Sequence, residues 1–297
     1  MGTRTPSAPG DRPGPHCTAP LPVAPGEFSA VVALKATAHA KSRLGSLPDP
    51  LRRRLAWTMA VDTLTAVFAV ATRMVVVSDQ PGLATALKAY GLAVPVLAES
   101  GHRGLNAALA YGAEHLRADG PVPVFACVGD LPALTATSLR QVLRTAASLP
   151  RCYLADASGT GTTMLCSTTG ALDPRFQGRS AAAHHASGAV PLSDELLGGS
   201  VPDARRDVDS EVDLDDAFRL GLGRMTAALF DPQSRSLGRY RTVTVAGPAG
   251  DDHSAITADG YRVLLPRGAV DPTLRTVHTG QRLHAAITDD RALSAWL

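Results

Sequence analysis

The sequence predicts an α/β protein with a mostly parallel sheet and helices on both faces, followed by a small all-β barrel. Apolar strand-like runs alternate with helix-like segments from residue 28 to about residue 150, and this alternation is typical of β-α-β units. From about residue 228 the pattern changes to short alternating runs between Gly, Asp and Pro turns, which favours the barrel. A chain of 297 residues that is 45% hydrophobic can form one sizeable core and a small appendage.

Periodicity and capping residues place each element in turn. Runs of apolar and β-branched residues predict strands at 28–35, 73–79, 93–100, 122–130, 151–157 and 162–168. Amphipathic spacing predicts helices at 51–70, 83–91, 105–118 and 135–149, the last capped by Thr135 or Thr137. A further helix is expected to start near Ser180, and Ser210 with Asp213 resembles a capping box.

Composition divides the chain into three predicted parts. Residues 1–26 are rich in Pro, Gly and Ala and are expected to form a disordered leader. Residues 27–227 form the predicted α/β domain, and residues 228–297 the predicted β domain.

Charge and cysteine spacing exclude several classes of protein. A net charge of +2 produces no field that would argue for nucleic acid or an anionic membrane. The cysteines form no C-x-x-C pair, which argues against a zinc knuckle and a disulfide framework. No apolar run approaches the roughly 20 residues of a membrane span, and no signal peptide is visible, so a cytoplasmic protein is expected.

Acidic residues stand where ligands of such sheets bind. Asp130 ends the apolar run VPVFACVGD, and open α/β sheets bind ligands beyond the carboxyl ends of their strands. Asp207 and Asp209 form a DVD sequence just before a predicted helix. Carboxylates from separate strand ends suit a Mg²⁺ ion that bridges phosphate oxygens. Helix capping is the alternative for Asp207 and Asp209, and their spacing does not decide between the two.

A basic loop follows the first predicted strand. Lys35, Lys41 and Arg43 lie within VVALKATAHAKSRLG, and three cations there suit a polyphosphate. The loop matches neither a P-loop nor a dinucleotide-binding fingerprint. A solvated basic loop is the alternative.

Small residues mark a second loop, ADASGTGTTMLC. Gly159 and Gly161 would allow backbone N–H groups to approach an anion, and a plain turn is the alternative. A helix that starts near Ser180 could hold another anion at its N-terminus. His184 and His185 are adjacent and point apart on a helix, so we interpret them as pocket lining or surface. No Ser-His-Asp or Cys-His signature is visible, which suits a reaction whose nucleophile is a substrate phosphate.

Seven ordered segments together resemble a known family. They are VVALKATAHAKSRLG, AVDTLTA, GLNAAL, VGDLPAL, ADASGTGTTMLC, LDPRFQGRSAAAHHASGA and RDVDSEVDL. Their combination resembles the guanylyltransferases of coenzyme F(420) biosynthesis, the CofC/FbiD family, which have a MobA-like nucleotidyltransferase fold. The resemblance covers about residues 28 to 225.

The resemblance implies transfer of GMP from GTP to phosphoenolpyruvate or 2-phospho-L-lactate, with Mg²⁺ as cofactor and release of pyrophosphate. It implies Asp130, Asp207 and Asp209 as metal ligands, Lys35, Lys41 and Arg43 at the triphosphate, Asn106 at the nucleoside, and Thr162, Gly178 and Ser180 at the phosphorylated acid. Within that set, Asp130, Lys35 and Arg43 are the implied catalytic residues. The chain departs from the family at Gln177, where glycine is common after the RF dipeptide.

The C-terminal segment resembles a degenerate cold-shock or OB-type barrel. Its aromatic residues, Phe230, Tyr240, Tyr261 and Trp296, form no cluster in the sequence, so packing or dimerisation is expected rather than nucleic-acid binding. An exposed edge strand could pair two subunits as a homodimer.

Two other functions stay open: a nucleotidyltransferase acting on molybdopterin or a sugar phosphate, and a nucleic-acid-binding or scaffold protein acting through the barrel.

Overall fold

A computed structural model describes most of the chain. The residues described are 27–34, 44, 49–99, 101–102, 104–230, 239–258, 260–270, 274, 276–288 and 291–296. The predicted leader and the predicted triphosphate residues Lys35, Lys41 and Arg43 lie outside these ranges.

Seven strands form the first sheet. They are β1 (Ser29–Ala33), β2 (Met74–Val77), β3 (Val96–Leu97), β4 (Val124–Cys127), β5 (Arg151–Ala155), β6 (Thr162–Ser167) and β7 (Val190–Pro191), in the spatial order β3-β2-β1-β4-β6-β5-β7. Strand β1 pairs in parallel with β2 and β4, and β2 pairs in parallel with β3. Only β6 runs antiparallel to its neighbours, β4 and β5. The predicted mostly parallel sheet is confirmed.

Nine helices accompany this sheet in the described ranges. They are α1 (Asp49–Phe68), α2 (Leu83–Ala89), α3 (Leu105–Leu116), α4 (Ala136–Ala146), α5 (Ser180–Ala186), α6 (Asp194–Leu197), α7 (Pro202–Arg205), α8 (Glu211–Leu220) and α9 (Arg224–Phe230). Thr135 caps α4 by accepting a hydrogen bond from the Ser138 N–H at 3.2 Å. Ser210 and Asp213 form the predicted capping box of α8. None of the described helices combines the length and apolar character needed to cross a bilayer.

Alternation along the strands sends side chains into two separate cores. On β1, Val32 packs in one cluster with Leu64 of α1, whereas Val31 packs in another with Leu109 of α3. All four side chains are at most 1% exposed, and full burial of such a side chain contributes roughly 1.5–3 kcal/mol. Helices therefore cover both faces of the sheet, as predicted, and leave its edges to carry polar groups.

The last helix of this region is tied to the first. Both carboxylate oxygens of Asp62, on α1, accept main-chain hydrogen bonds at the start of α9: from Met225 N at 2.9 Å and from Thr226 N at 2.7 Å. A side chain at Gly223 would overlap this carboxylate. Helix α9 runs across the predicted domain boundary between residues 227 and 228, and the domain division itself stays a prediction.

Five strands form a closed barrel near the C-terminus. They are β8 (Arg239–Ala249), β9 (Asp252–Thr257), β10 (Arg262–Leu265), β11 (Arg282–Thr288) and β12 (Arg291–Trp296), in the closed order β10-β12-β11-β8-β9. Only the β10–β12 pair is parallel; the others are antiparallel. Val243, Val263 and Leu283 are among the buried residues inside it. A five-stranded Greek-key barrel of this kind is an OB fold, so the predicted OB-type barrel is confirmed.

Candidate active site

The carboxyl edge of the first sheet gathers acidic side chains from distant parts of the chain. Asp130 follows β4, a strand parallel to β1, and so lies at the edge where ligands of such sheets bind. The Val208 N–H donates to the main-chain carbonyl of Asp130 at 3.1 Å. This bond brings the segment that contains Asp207 and Asp209 to the same edge, beside Asp130.

Neighbouring negative charges act on the carboxyl group of Asp207. Burial, reinforced by the negative charges of Asp130, Asp156 and Asp209, raises the pKa of Asp207 to about 7. Carboxylates that repel one another in this way favour either a bound proton or a bound cation. Asp156 was not among the sequence candidates, although it belongs to the same acidic group.

The hydrogen bonds at the start of α8 show which residues cap this helix. Ser210 is the residue that caps α8, and its partner at the third helical position is Asp213, which accepts from the Ser210 N–H at 2.9 Å. Asp213 also accepts from Arg206 at 2.9 Å. The cap of α8 is therefore made by Ser210 and Asp213 rather than by Asp207 or Asp209.

The carboxylates have the donor chemistry for a divalent cation but do not form a closed cage. Across the described ranges, no group of three or more His, Cys, Asp or Glu side chains is spaced to hold a metal ion. Mg²⁺ commonly takes only one or two carboxylates and completes its shell with water and substrate phosphates. Neighbouring carboxylates raise the pKa of Asp207, and a cation would offset their repulsion. The residues present thus fit an ion that binds together with a triphosphate.

The loop after β5 is a self-contained turn. One oxygen of Asp156 accepts from the Thr160 N–H at 3.0 Å and the other from the Gly161 N–H at 2.9 Å. The Gly159 N–H donates to the Asp156 carbonyl at 3.0 Å. Of the two interpretations of this loop, an anion site or a plain turn, the structure supports the plain turn, because the turn already uses the N–H groups of Gly159 and Gly161.

A buried histidine connects this loop to the next one. His184, on α5, is 0% exposed. One ring nitrogen, Nδ1, lies 2.9 Å from Thr162 Oγ1, and the other, Nε2, accepts from the Arg175 N–H at 2.8 Å. The interpretation of His184 as pocket lining or surface is therefore wrong. Its spacing of three and four residues from Ala181 and Ser180, both buried on the same helix face, could have indicated this.

The segment from Asp173 to Ser180 is fixed from both sides. The Asn106 side chain donates to the Phe176 carbonyl at 3.1 Å and accepts from the Phe176 N–H at 2.7 Å. Asn106 therefore holds this segment in place, and its expected contact with the nucleoside stays a prediction. The Ala181 N–H donates to the Thr160 carbonyl at 3.1 Å, which joins the segment to the Asp156 turn.

Two consecutive residues of this segment have left-handed backbone conformations. Gln177 has a φ of 88° and Gly178 a φ of 57°. Such φ values strain any residue with a Cβ atom, most of all one without a short polar side chain. The departure at Gln177 thus places a glutamine where the backbone favours the glycine that is common in the resembling family. The other two residues predicted to contact the phosphorylated acid, Thr162 and Ser180, are 6% and 2% exposed.

Within the described side chains of the barrel, strands β9 and β10 offer few aromatic surfaces. Next to the buried residues of β9 and β10, the alternating positions that face outward are Asp252, Ser254, Ile256, Arg262 and Leu264. In this described part of the barrel only Tyr261, 56% exposed, presents a ring. Single-stranded nucleic acids bind such barrels by stacking on several rings, which these strands do not provide.

An open α/β sheet with carboxylates gathered at its carboxyl edge defines a protein that binds its ligand at that edge. The chain is 42% identical over 218 residues to a phosphoenolpyruvate guanylyltransferase from Salinispora arenicola (strain CNS-205), covering 71% of this chain and 97% of that protein. It is 36% identical over 276 residues to a phosphoenolpyruvate guanylyltransferase from Frankia casuarinae, and the match covers 84% of this chain and 91% of that protein. The chain belongs to the phosphoenolpyruvate guanylyltransferase family.

The chain was also compared with protein-family models and with solved structures. No protein-family model matches the chain. Among solved structures, the chain is similar to a nucleotidyl transferase from Methanothermobacter thermautotroptrophicus, with 19% identity, a TM-score of 0.40, and coverage of 65% of this chain and 98% of that one.

Proposed function

We propose that this protein transfers GMP from GTP to phosphoenolpyruvate, or to the related acid 2-phospho-L-lactate, and releases pyrophosphate. One observation carries the proposal: the 42% identity to a phosphoenolpyruvate guanylyltransferase that extends over 97% of that relative. The acidic edge of the sheet supports it, because a nucleoside triphosphate and its cation need such an edge.

The proposed reaction is an in-line displacement. A phosphate oxygen of the acid forms a bond to the α-phosphorus of GTP, while the bond from that phosphorus to the bridging oxygen of the β-phosphate breaks. The electron pair of the broken bond leaves with pyrophosphate. A phosphate monoester has a second pKa of about 6 and is already an anion near neutral pH, so the protein needs no general base. Its task is to align two anions and to offset their charge.

We assign the metal-holding role to Asp130, Asp207 and Asp209. A Mg²⁺ ion bound by these carboxylates would supply positive charge to the triphosphate. The support is that Asp207 sits among like charges that raise its pKa to about 7. Lys35, Lys41 and Arg43 are assigned to the triphosphate on the basic sequence of their loop and on the resemblance. Asp130, Lys35 and Arg43 are the proposed catalytic residues.

The phosphorylated acid is assigned to the loops around Thr162, Gly178 and Ser180. Support comes from the hydrogen bonds that join these loops to one another, through His184 and through the Ala181 N–H. We further propose that residues 27–227 carry the catalysis, and that the barrel serves in packing or in formation of a homodimer.

The experiment is a pyrophosphate-release assay with purified protein, GTP and Mg²⁺. Phosphoenolpyruvate, 2-phospho-L-lactate and 3-phosphoglycerate are compared as acceptors, with ATP and CTP as alternative nucleotides. We expect release with GTP and one of the first two acids. Molybdopterin and a sugar phosphate are added as further acceptors, and release only with one of these would instead assign the chain to another nucleotidyltransferase reaction.

A further inference from the structure

The most informative feature beyond the proposed site is the imidazole of His184. Its ring is 0% exposed, and both nitrogens have partners on separate loops. Those loops are the two that carry the proposed acid-binding residues. The histidine therefore links the parts of the site that must hold the acceptor.

The hydrogen bonds determine which nitrogen carries the proton. The partner of Nε2 is the main-chain N–H of Arg175, 2.8 Å away, which can only donate. Nε2 must therefore accept, and the proton of the neutral ring lies on Nδ1. Burial, with the nearby Arg151 and Arg175 charges, lowers the pKa of His184 to about 4, so the ring is neutral near pH 7.

This tautomer fixes the direction of the Thr162 hydroxyl. Nδ1–H donates to Thr162 Oγ1 across 2.9 Å, so the hydroxyl oxygen accepts there and its own proton must point elsewhere. Thr162 is 6% exposed, and in the described part of the chain its hydroxyl has no acceptor among protein groups. The hydroxyl is a buried donor whose direction is set by the histidine.

The position of Thr162 in the sheet brings this donor to the carboxyl edge. Thr162 opens β6, and the Val128 N–H donates to the carbonyl of the next residue, Thr163, at 3.0 Å. Thr162 therefore lies beside the segment that leads from β4 to Asp130. A hydroxyl donor there is suited to an anionic oxygen of a ligand at the carboxyl edge.

We propose that His184 is a positioning residue, which holds the Thr162 hydroxyl as a hydrogen-bond donor to an anionic oxygen of the acceptor acid. This assignment rests on the proposed function and deepens it, because it names the group that orients Thr162, one of the residues already assigned to the acid. A histidine with only a packing role would affect stability and leave the affinity for the acid unchanged.

The test separates the two hydrogen bonds of the ring. His184→Gln can place an oxygen near the position of Nε2 and keep the bond from Arg175, but it loses the donor at Nδ1. His184→Asn can place an N–H near the position of Nδ1 and keep the donor to Thr162. We expect the KM for the acid to rise about tenfold in His184→Gln, as for loss of one hydrogen bond to a charged group. The KM for GTP should not change, and His184→Asn should stay closer to the wild type.

Substitutions of Thr162 provide the matched control. Thr162→Val removes the hydroxyl with little change of shape and should raise the KM for the acid about tenfold; Thr162→Ser keeps the hydroxyl and should raise this KM less than Thr162→Val does. In a Thr162→Val background, His184→Gln should have no further effect on this KM, because the histidine acts through the hydroxyl.

Each result has a defined meaning. Additive effects of Thr162→Val and His184→Gln, or an unchanged KM for the acid in Thr162→Val, would overturn the assignment. If the His184 variants do not fold by circular dichroism, the comparison of Thr162→Val with Thr162→Ser decides, since equal KM values there also overturn it. A wild-type protein that releases no pyrophosphate with any acid overturns the proposed function instead, and this assignment with it.

Discussion

The main-chain N–H of Val208 donates to the main-chain carbonyl of Asp130 at 3.1 Å, across 78 positions of sequence, and this bond joins the two segments that carry the proposed metal ligands. Ser210 and Asp213 cap the helix that follows the DVD sequence. Asp207 and Asp209 therefore do not make that cap. The acidic edge is therefore built by the main chain, and changes of its side chains should spare the fold.

Replacement of Asp130 tests whether the carboxylates at the carboxyl edge of the first sheet hold a metal ion. Asp130→Asn keeps the carbonyl that accepts from Val208 but removes the charge, so we expect turnover to fall by roughly 10²-fold or more. The melting temperature should change little. Asp215→Asn, on the exposed face of α8, is the matched control and should keep full activity. Full activity in Asp130→Asn would contradict the metal assignment.

Replacement of Asp207 should separate stability from activity. Burial and neighbouring carboxylates raise the folded pKa of Asp207 from 3.8 to about 7, so its ionised form opposes folding as pH rises through 7. Asp207→Asn should therefore stabilise the metal-free protein at pH 8 by about 1 kcal/mol, or roughly 2–4 °C, while turnover is lost. Thermal melts without and with Mg²⁺ and GTP measure this. Equal or lower stability of the metal-free variant would show that the carboxylates do not repel one another.

Substitutions at the two left-handed residues, Gln177 and Gly178, should change the stability of the fold in opposite directions. Gln177→Gly should relieve strain at a φ of 88° and stabilise the fold by up to about 1 kcal/mol. Gly178→Ala should destabilise it by about 1 kcal/mol, because alanine is strained at a φ of 57° although no atom lies within 4 Å of the added Cβ. Urea unfolding of both variants checks this, and a shift in the same direction in both would refute it.

The bond between α1 and α9 should be important for stability. Asp62→Ala leaves two main-chain N–H groups, at Met225 and Thr226, without their acceptor. We expect a loss of about 3 kcal/mol of unfolding free energy, since each unsatisfied buried donor costs about 1–3 kcal/mol. Asp119→Ala is the control: its side chain is 87% exposed and pairs with Arg73 at 3.9 Å, and it should cost well under about 1 kcal/mol. Similar losses in both variants would contradict the role of Asp62.

His184 predicts a specific dependence of stability on pH. Because the folded pKa lies near 4 and the ordinary value is 6.5, the unfolded chain binds a proton before the folded one does. The stability associated with the neutral ring is present above pH 6.5 and is lost as pH falls towards 4. The difference in unfolding free energy between wild type and His184→Gln should shrink across this range, whereas His185→Gln, on the exposed side of α5, should follow the wild type. Parallel profiles of wild type and His184→Gln would contradict a buried neutral ring.

Local signals in the sequence predicted most of the first sheet and the barrel. Strands β1 and β4, the cap at Thr135 and the capping box at Ser210 all depend on residues within one element, and periodicity and capping are local properties. The small OB-type barrel was predicted from a resemblance over the whole tail and is confirmed. Short elements such as β7, with only two residues, carry no periodicity to detect.

Long-range contacts account for what the sequence did not predict. His184 and Thr162 are 22 positions apart, and Asp62 and Met225 are 163 apart. Contacts at such separations cannot be predicted from the local spacing of residues. The use of N–H groups by the Asp156 turn depends on the side chain of Asp156 folding back onto Gly161. Asp-x-Ser-Gly-type sequences do favour such turns, which is the signal that could have indicated it.

The most direct measurement is a ³¹P NMR spectrum of wild-type protein with GTP, Mg²⁺ and phosphoenolpyruvate or 2-phospho-L-lactate. We expect that a new phosphoanhydride, between GMP and the acid, grows together with pyrophosphate, and that both form far more slowly with Asp130→Asn. Pyrophosphate without the phosphoanhydride, or no reaction of folded protein with either acid, would contradict guanylyl transfer.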